Sequence, residues 1–144
     1  MAQNVEAGAG GIRWGRALIG GLMIEVGLIL LVIPFYATMA DPFPTIELLV
    51  PPVTLVLAAL AGAWAARPSG NPLMTGLATG AAALLIYGAM MVAGYLAAPE
   101  QFNSAAALSV SYLASHVLKL VGGLLGGNRI RRQRAGQWVA FSPR

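Results

Sequence analysis

Four apolar stretches, Ala17 to Ala37, Leu48 to Ala66, Leu73 to Ala98 and Ala105 to Gly127, occupy most of the chain. An α-helix rises about 1.5 Å per residue, so about 20 apolar residues match a hydrocarbon layer about 30 Å thick. Inside lipid no water satisfies the backbone, and a helix is the structure that closes all its hydrogen bonds within one segment. The expected fold is therefore all-α: a four-helix up-and-down transmembrane bundle.

The breaks between the stretches carry turn chemistry: Asp41-Pro42-Phe43-Pro44, Arg67-Pro68-Ser69-Gly70-Asn71-Pro72 and Pro99-Glu100-Gln101-Phe102-Asn103. Connections this short make sequential helices antiparallel neighbours. Residues 1–16 read as a mobile cytoplasmic lead-in, 17–127 as the membrane domain and 128–144 as a basic cytoplasmic tail. The first stretch is about twice as long as a signal-peptide core, which favours a retained span.

Composition agrees with burial in lipid. Of the 144 residues 58% are hydrophobic and 10% charged, and the mean hydropathy is +0.73, too little polar surface for a water-soluble domain of this size. The chain has no cysteine and one histidine, His116. That excludes disulfides, thiolate metal sites and multi-histidine cages, and no cofactor or metal is expected.

Orientation follows from the arginines. Arg13 and Arg16 precede the first span, Arg67 lies between the second and third, and Arg129, Arg131, Arg132, Arg134 and Arg144 follow the fourth. The opposite connections hold only Asp41, Glu47 and Glu100. Basic residues beside spans stay on the cytoplasmic side, so both termini are expected there. Arg129, Arg131, Arg132 and Arg134 also suit contact with anionic lipid, each contributing about 1 kcal/mol beside a charged leaflet. No folded reading surface accompanies them, which argues against nucleic acid as a partner. Short loops and the absence of a targeting signal point to a bacterial inner membrane.

Two charges fall within spans, Glu25 and Lys119. A charge in mid-helix costs about 2.5 to 3.5 kcal/mol on insertion scales, so it faces the bundle interior and seeks a partner. Glu25 lies about 13 Å beyond Arg16 along its helix and Lys119 about 15 Å before Arg129, so the two opposite charges sit at one depth. Gly20-Gly21 and Gly122-Gly123 flank them, with Gly21 four residues from Glu25 and Gly123 four from Lys119. Because glycine permits close backbone approach, the layout predicts that the first and fourth helices touch through these glycines and are locked by a Glu25–Lys119 pair. Gly122 to Gly126 and Gly76 to Gly80 extend the small-residue packing pattern, the latter marking the third helix as a candidate oligomer face.

His116 sits one turn from Lys119, and Ser111, Tyr112 and Ser115 continue the same broad face. This polar stripe, with Glu25, fits either interhelical hydrogen bonding or a path for protons or ions. Pro51-Pro52 removes two backbone donors from the second span, which predicts a kink, a helix start or a broken helix exposing carbonyls.

The segment Gly20-Gly21-Leu22-Met23-Ile24-Glu25-Val26 resembles the start of the small multidrug resistance transporters, whose first of four helices carries an essential glutamate. The resemblance covers under a tenth of the chain. Lys119 and Pro51-Pro52 depart from that family's pattern, and a glutamate already paired is poorly placed for proton-coupled drug binding. The residues carry no catalytic constellation, so an enzyme is not expected. The leading expectation is an accessory or scaffolding membrane protein that binds a larger membrane partner or further copies of itself. The alternative is a small oligomeric ion- or proton-coupled transporter using Glu25, His116 and Lys119.

Overall fold

The computed structural model describes residues 11–101 and 110–140. Among them four long helices follow one another: α1 Trp14–Thr38, α2 Phe43–Ala66, α3 Pro72–Ala97 and α4 Val110–Ala140, with a 3-10 turn at Pro99–Gln101. Each is long and apolar enough to cross a membrane, and together they pack as a bundle. The chain is a small multi-pass membrane protein.

Local chemistry sets the helix ends. Asn71 accepts a hydrogen bond from the Met74 amide at the start of α3, and Pro72 occupies the first turn, where its missing N–H has no helical partner to lose. Asp41 accepts from the Phe43 amide at the start of α2, and Pro68 stops that helix after Arg67. Pro51 and Pro52 lie inside α2, which continues through them, so they are neither its start nor a break. The sequence placed the start of α2 later, at Leu48. The fourth span was expected to begin at Ala105, a position outside the described residues. At its other end it does not stop at Gly127 but runs on through the basic segment to Ala140, so that segment is a helical extension rather than a separate tail.

Close approaches define the arrangement. Gly20 and Gly21 of α1 face Thr79 and Ala82–Ala83 of α3, while Arg16 reaches Trp64 of α2. Gly122 and Gly126 of α4 face Ala58 and Ala59 of α2, and Gly123 and Gly127 face Gly76 and Pro72 of α3. Helices α2 and α3 therefore form the short diagonal of a rhombus, and α1 and α4 stand at its far corners. This corrects the expected glycine seam between the first and fourth helices. Each glycine pair packs instead on the two central helices, whose own small residues (Ala58, Gly62, Gly76, Gly80 and Ala83) supply the complementary surface.

Packing is tightest in the half of the bundle nearest the termini. A methyl group on Gly62 would sit 2.8 Å from the Gly123 carbonyl oxygen, and one on Gly76 would fall on that same oxygen. One on Gly80 would fall on the Lys119 carbonyl. Gly76 and Gly80 are thus spent inside the bundle, and the expected oligomer face on α3 does not lie there. The buried Thr75 and Thr79 fit because each hydroxyl finds a local partner: Thr79 donates to the Thr75 carbonyl at 2.9 Å, and Thr75 shares a 2.6 Å hydrogen bond with Ser69.

The opposite half is looser. There α1, α2 and α3 present larger side chains, among them Leu28, Val32, Ile46, Tyr87 and Met90, which hold the helix axes apart where glycine and alanine would let them close.

Candidate functional site

Where the glycine packing ends, a cavity of about 180 Å³ opens among all four helices. Glu25 and Lys119 lie where the cavity meets the packed half. Their carboxylate and ammonium groups are 2.6 Å apart, with residue exposures of only 4% and 2%. The two residues that helix rise places at one depth are thus in direct contact, by a different route from the expected glycine seam. The helices that carry the two residues do not pack on each other, and the long lysine side chain crosses the bundle interior instead. Two opposite charges in contact form a unit of zero net charge, the form in which ionised groups tolerate a low-dielectric interior.

Periodicity explains the rest of the lining. From Glu25, α1 adds Leu28, Val32 and Tyr36 at helical spacing, and α2 adds Phe43, Glu47 and Val50. Helix α3 contributes Tyr87 and Met90. Helix α4 contributes the polar stripe of Ser111, Tyr112, Ser115 and His116, one to two turns beyond Lys119. All six residues expected at an intramembrane polar site therefore meet in one place. Ser115 is buried and donates to the Ser111 carbonyl at 2.8 Å, satisfying its hydroxyl within its own helix.

Sequence reasoning missed Tyr87, which stands at the centre of this group. Its ring lies 4.8 Å from the Lys119 ammonium, 4.5 Å from the His116 ring and 6.2 Å from the Tyr112 ring. The cation over the ring face is attracted by the negative π cloud, an interaction that strengthens away from water. A tyrosine inside an otherwise apolar span is the signal that would have found it, because a phenol in lipid needs a partner for its hydroxyl. Among the described residues neither the Tyr87 hydroxyl nor His116 Nδ1, both shielded, has a hydrogen-bond partner.

No protein-family model, curated protein or solved structure matches this chain.

The remaining predicted residues lie elsewhere. Arg129, Arg131 and Arg132 are exposed on the extension of α4, where Arg131 donates to Asn128 at 2.9 Å. Arg134 is partly covered and not presented purely to lipid. Its guanidinium forks onto the connection between α2 and α3, donating to the Ser69 carbonyl at 2.6 Å and to the Arg67 carbonyl. A planar fork of fixed charge suits two neighbouring carbonyls at a helix C-terminus, where the backbone dipole is negative. Ser69 also accepts from the Asn71 amide at 3.0 Å and donates to the Gly11 carbonyl at 3.3 Å, so this end of the bundle is tied by hydrogen bonds. Arg16 completes it, donating to the Trp64 carbonyl at 2.9 Å with its guanidinium 3.9 Å from the indole centroid.

Proposed function

We propose that this protein is an accessory or scaffolding component of a membrane, most simply a bacterial inner membrane, with both termini cytoplasmic, and that it binds a larger membrane partner rather than conducting a solute itself. One observation carries the reading. The half of the bundle nearest the termini is packed backbone against backbone at Gly62, Gly76, Gly80, Gly123 and Gly126, leaving no room even for a methyl group. A path for ions or protons through one copy would have to part those contacts. The sequence positions of the eight arginines, before the first span, between the second and third and after the fourth, support the orientation, since the charged residues of the other connections are carboxylates. In this reading the Glu25–Lys119 pair holds the outlying helices α1 and α4 across the rhombus, a task that packing between them does not perform.

A second reading, a small oligomeric ion- or proton-coupled transporter, draws on the cavity above the ion pair, which has the one-sided form of a solute site. Proton flux into reconstituted vesicles separates the two. The accessory reading expects wild-type and Glu25→Gln vesicles to match protein-free controls under an imposed gradient, and a partner to co-purify in fixed stoichiometry. Flux present in the wild type and lost in Glu25→Gln would overturn it in favour of transport.

A further inference from the structure

The accessory reading gives no task to the cavity. Proteins pack their interiors to the density of organic crystals, and a void among large side chains forfeits dispersion contacts on every wall. An apolar cavity of about 150 Å³ is known to accept benzene, and this one, at about 180 Å³, is of similar size but open at its outer end, where Tyr36, Phe43 and Met90 are exposed. Its walls are mainly hydrocarbon and ring: Leu28, Val32, Val50, Met90, Tyr36 and Phe43.

Charge decides what kind of molecule suits it. The charged groups at the cavity base, Glu25 and Lys119, already neutralise each other at 2.6 Å. A bound cation or anion would leave one unit charge uncompensated in low dielectric, which costs several kcal/mol unless it is paired. Glu47 does not alter this, because it is exposed and shares its field with the surroundings. A neutral molecule carries no such penalty.

Polar complementarity narrows the class further. Tyr87 and His116 both line the lumen, while the Tyr87 hydroxyl and His116 Nδ1 are shielded in this conformation and have no partner among the described residues, and an unmade buried hydrogen bond is costly. A change of the Tyr87 side-chain torsions that turns its hydroxyl into the lumen would let one ligand oxygen supply the missing bond. The faces of Tyr87, Tyr112 and His116, clustered within 6.3 Å of one another by ring centroid, favour a flat partner over a branched one.

We propose that the cavity is a binding site for a neutral amphipathic molecule whose ring bears a hydroxyl or carbonyl oxygen, the chemistry of a phenol or an aromatic alcohol. The oxygen lies toward Tyr87 and the ion pair, and the apolar body fills the space between Val32, Phe43 and Val50. This inference stands apart from the accessory reading, since a flux result of either sign leaves it unchanged.

The test uses the full chain in lipid nanodiscs, with empty nanodiscs as the reference for partitioning. Ligand-observed fluorine NMR titrations compare 4-fluorobenzyl alcohol with 4-fluorobenzoate and 4-fluorobenzylammonium, three probes of one ring and different charge. The expected result is saturable binding of the alcohol and at least tenfold weaker binding of both ions. Tyr87→Phe keeps the ring and removes the hydroxyl, and weakens the alcohol about two- to tenfold, the worth of one hydrogen bond. Val32→Trp fills the lumen and abolishes binding, and a retained cooperative unfolding transition shows that the variant still folds. An ion that binds as tightly as the alcohol, no saturable binding of the alcohol, or affinity unchanged in both variants would overturn the proposal.

Discussion

Replacing Glu25 by Leu strands the Lys119 ammonium, which is 2% exposed and has lost a carboxylate at 2.6 Å. The Tyr87 ring, 4.8 Å away, remains as a weak substitute, and a desolvated cation–π contact contributes about 2 kcal/mol. Breaking a buried ion pair by removing one partner costs about 3–5 kcal/mol, because the remaining charge is neither paired nor hydrated. The tyrosine should bring Glu25→Leu to the lower end of that range. Lys119→Met leaves the carboxylate without any comparable cation and should fall in the same range or above it. The double variant, Glu25→Leu with Lys119→Met, removes both charges and fills similar volume, so its stability should lie within about 1 kcal/mol of the wild type. The coupling in this cycle is thus about 5 kcal/mol or more, well beyond the average of about 0.6 kcal/mol measured for single interhelical hydrogen bonds in a membrane protein. Unfolding by a denaturing detergent in mixed micelles, followed by circular dichroism, measures all four corners. If the two single losses simply add in the double variant, the pair contributes nothing as a pair and the argument fails.

Other consequences follow from packing and from the tied end of the bundle. Gly76→Ala and Gly123→Ala each place a methyl group on a facing backbone carbonyl and should cost about 1–3 kcal/mol in the same unfolding assay. Gly88→Ala and Gly94→Ala meet nothing within 4 Å and should stabilise by about 0.5–1 kcal/mol through helix propensity; equal losses at all four positions would refute the packing described. Arg134→Lys loses the fork to the Arg67 and Ser69 carbonyls, and hydrogen exchange should rise in residues 67–72 as far as in Arg134→Ala, whereas full protection in the lysine variant would show that charge alone suffices. The natural chain has no cysteine, so single-cysteine variants at Gly70 and Asp41 can be labelled in intact cells with a membrane-impermeant maleimide. Asp41→Cys should react and Gly70→Cys should not; the reverse pattern would invert the orientation.

What the sequence determined rests on local quantities. Span length follows from the fixed rise of a helix and the fixed thickness of lipid, so four crossings were legible from run lengths alone, although α2 starts earlier than expected and α4 runs on past Gly127 to Ala140. The depth of Glu25 and Lys119 follows from the same rise, which is why two residues so distant in sequence could be placed level and then be found 2.6 Å apart. The helical spacing of Ser111, Tyr112, Ser115 and His116 likewise marked one face before any neighbour was known.

Which helix lies beside which was not legible. Small residues recur on all four helices, so Gly20-Gly21 and Gly122-Gly123 fit each other in the sequence as well as they fit Ala83 or Ala58 in the bundle. Lipid gives no preference among apolar surfaces, and only the summed van der Waals fit of all faces at once selects the rhombus. The cavity has the same origin. It exists because tight glycine contacts near the termini meet bulky side chains beyond them, a mismatch between two halves that no single helix contains. Tyr87 became part of the site for that reason: its position in an apolar span was visible from the start, but its three aromatic and charged neighbours come from another helix that only tertiary packing brings to it.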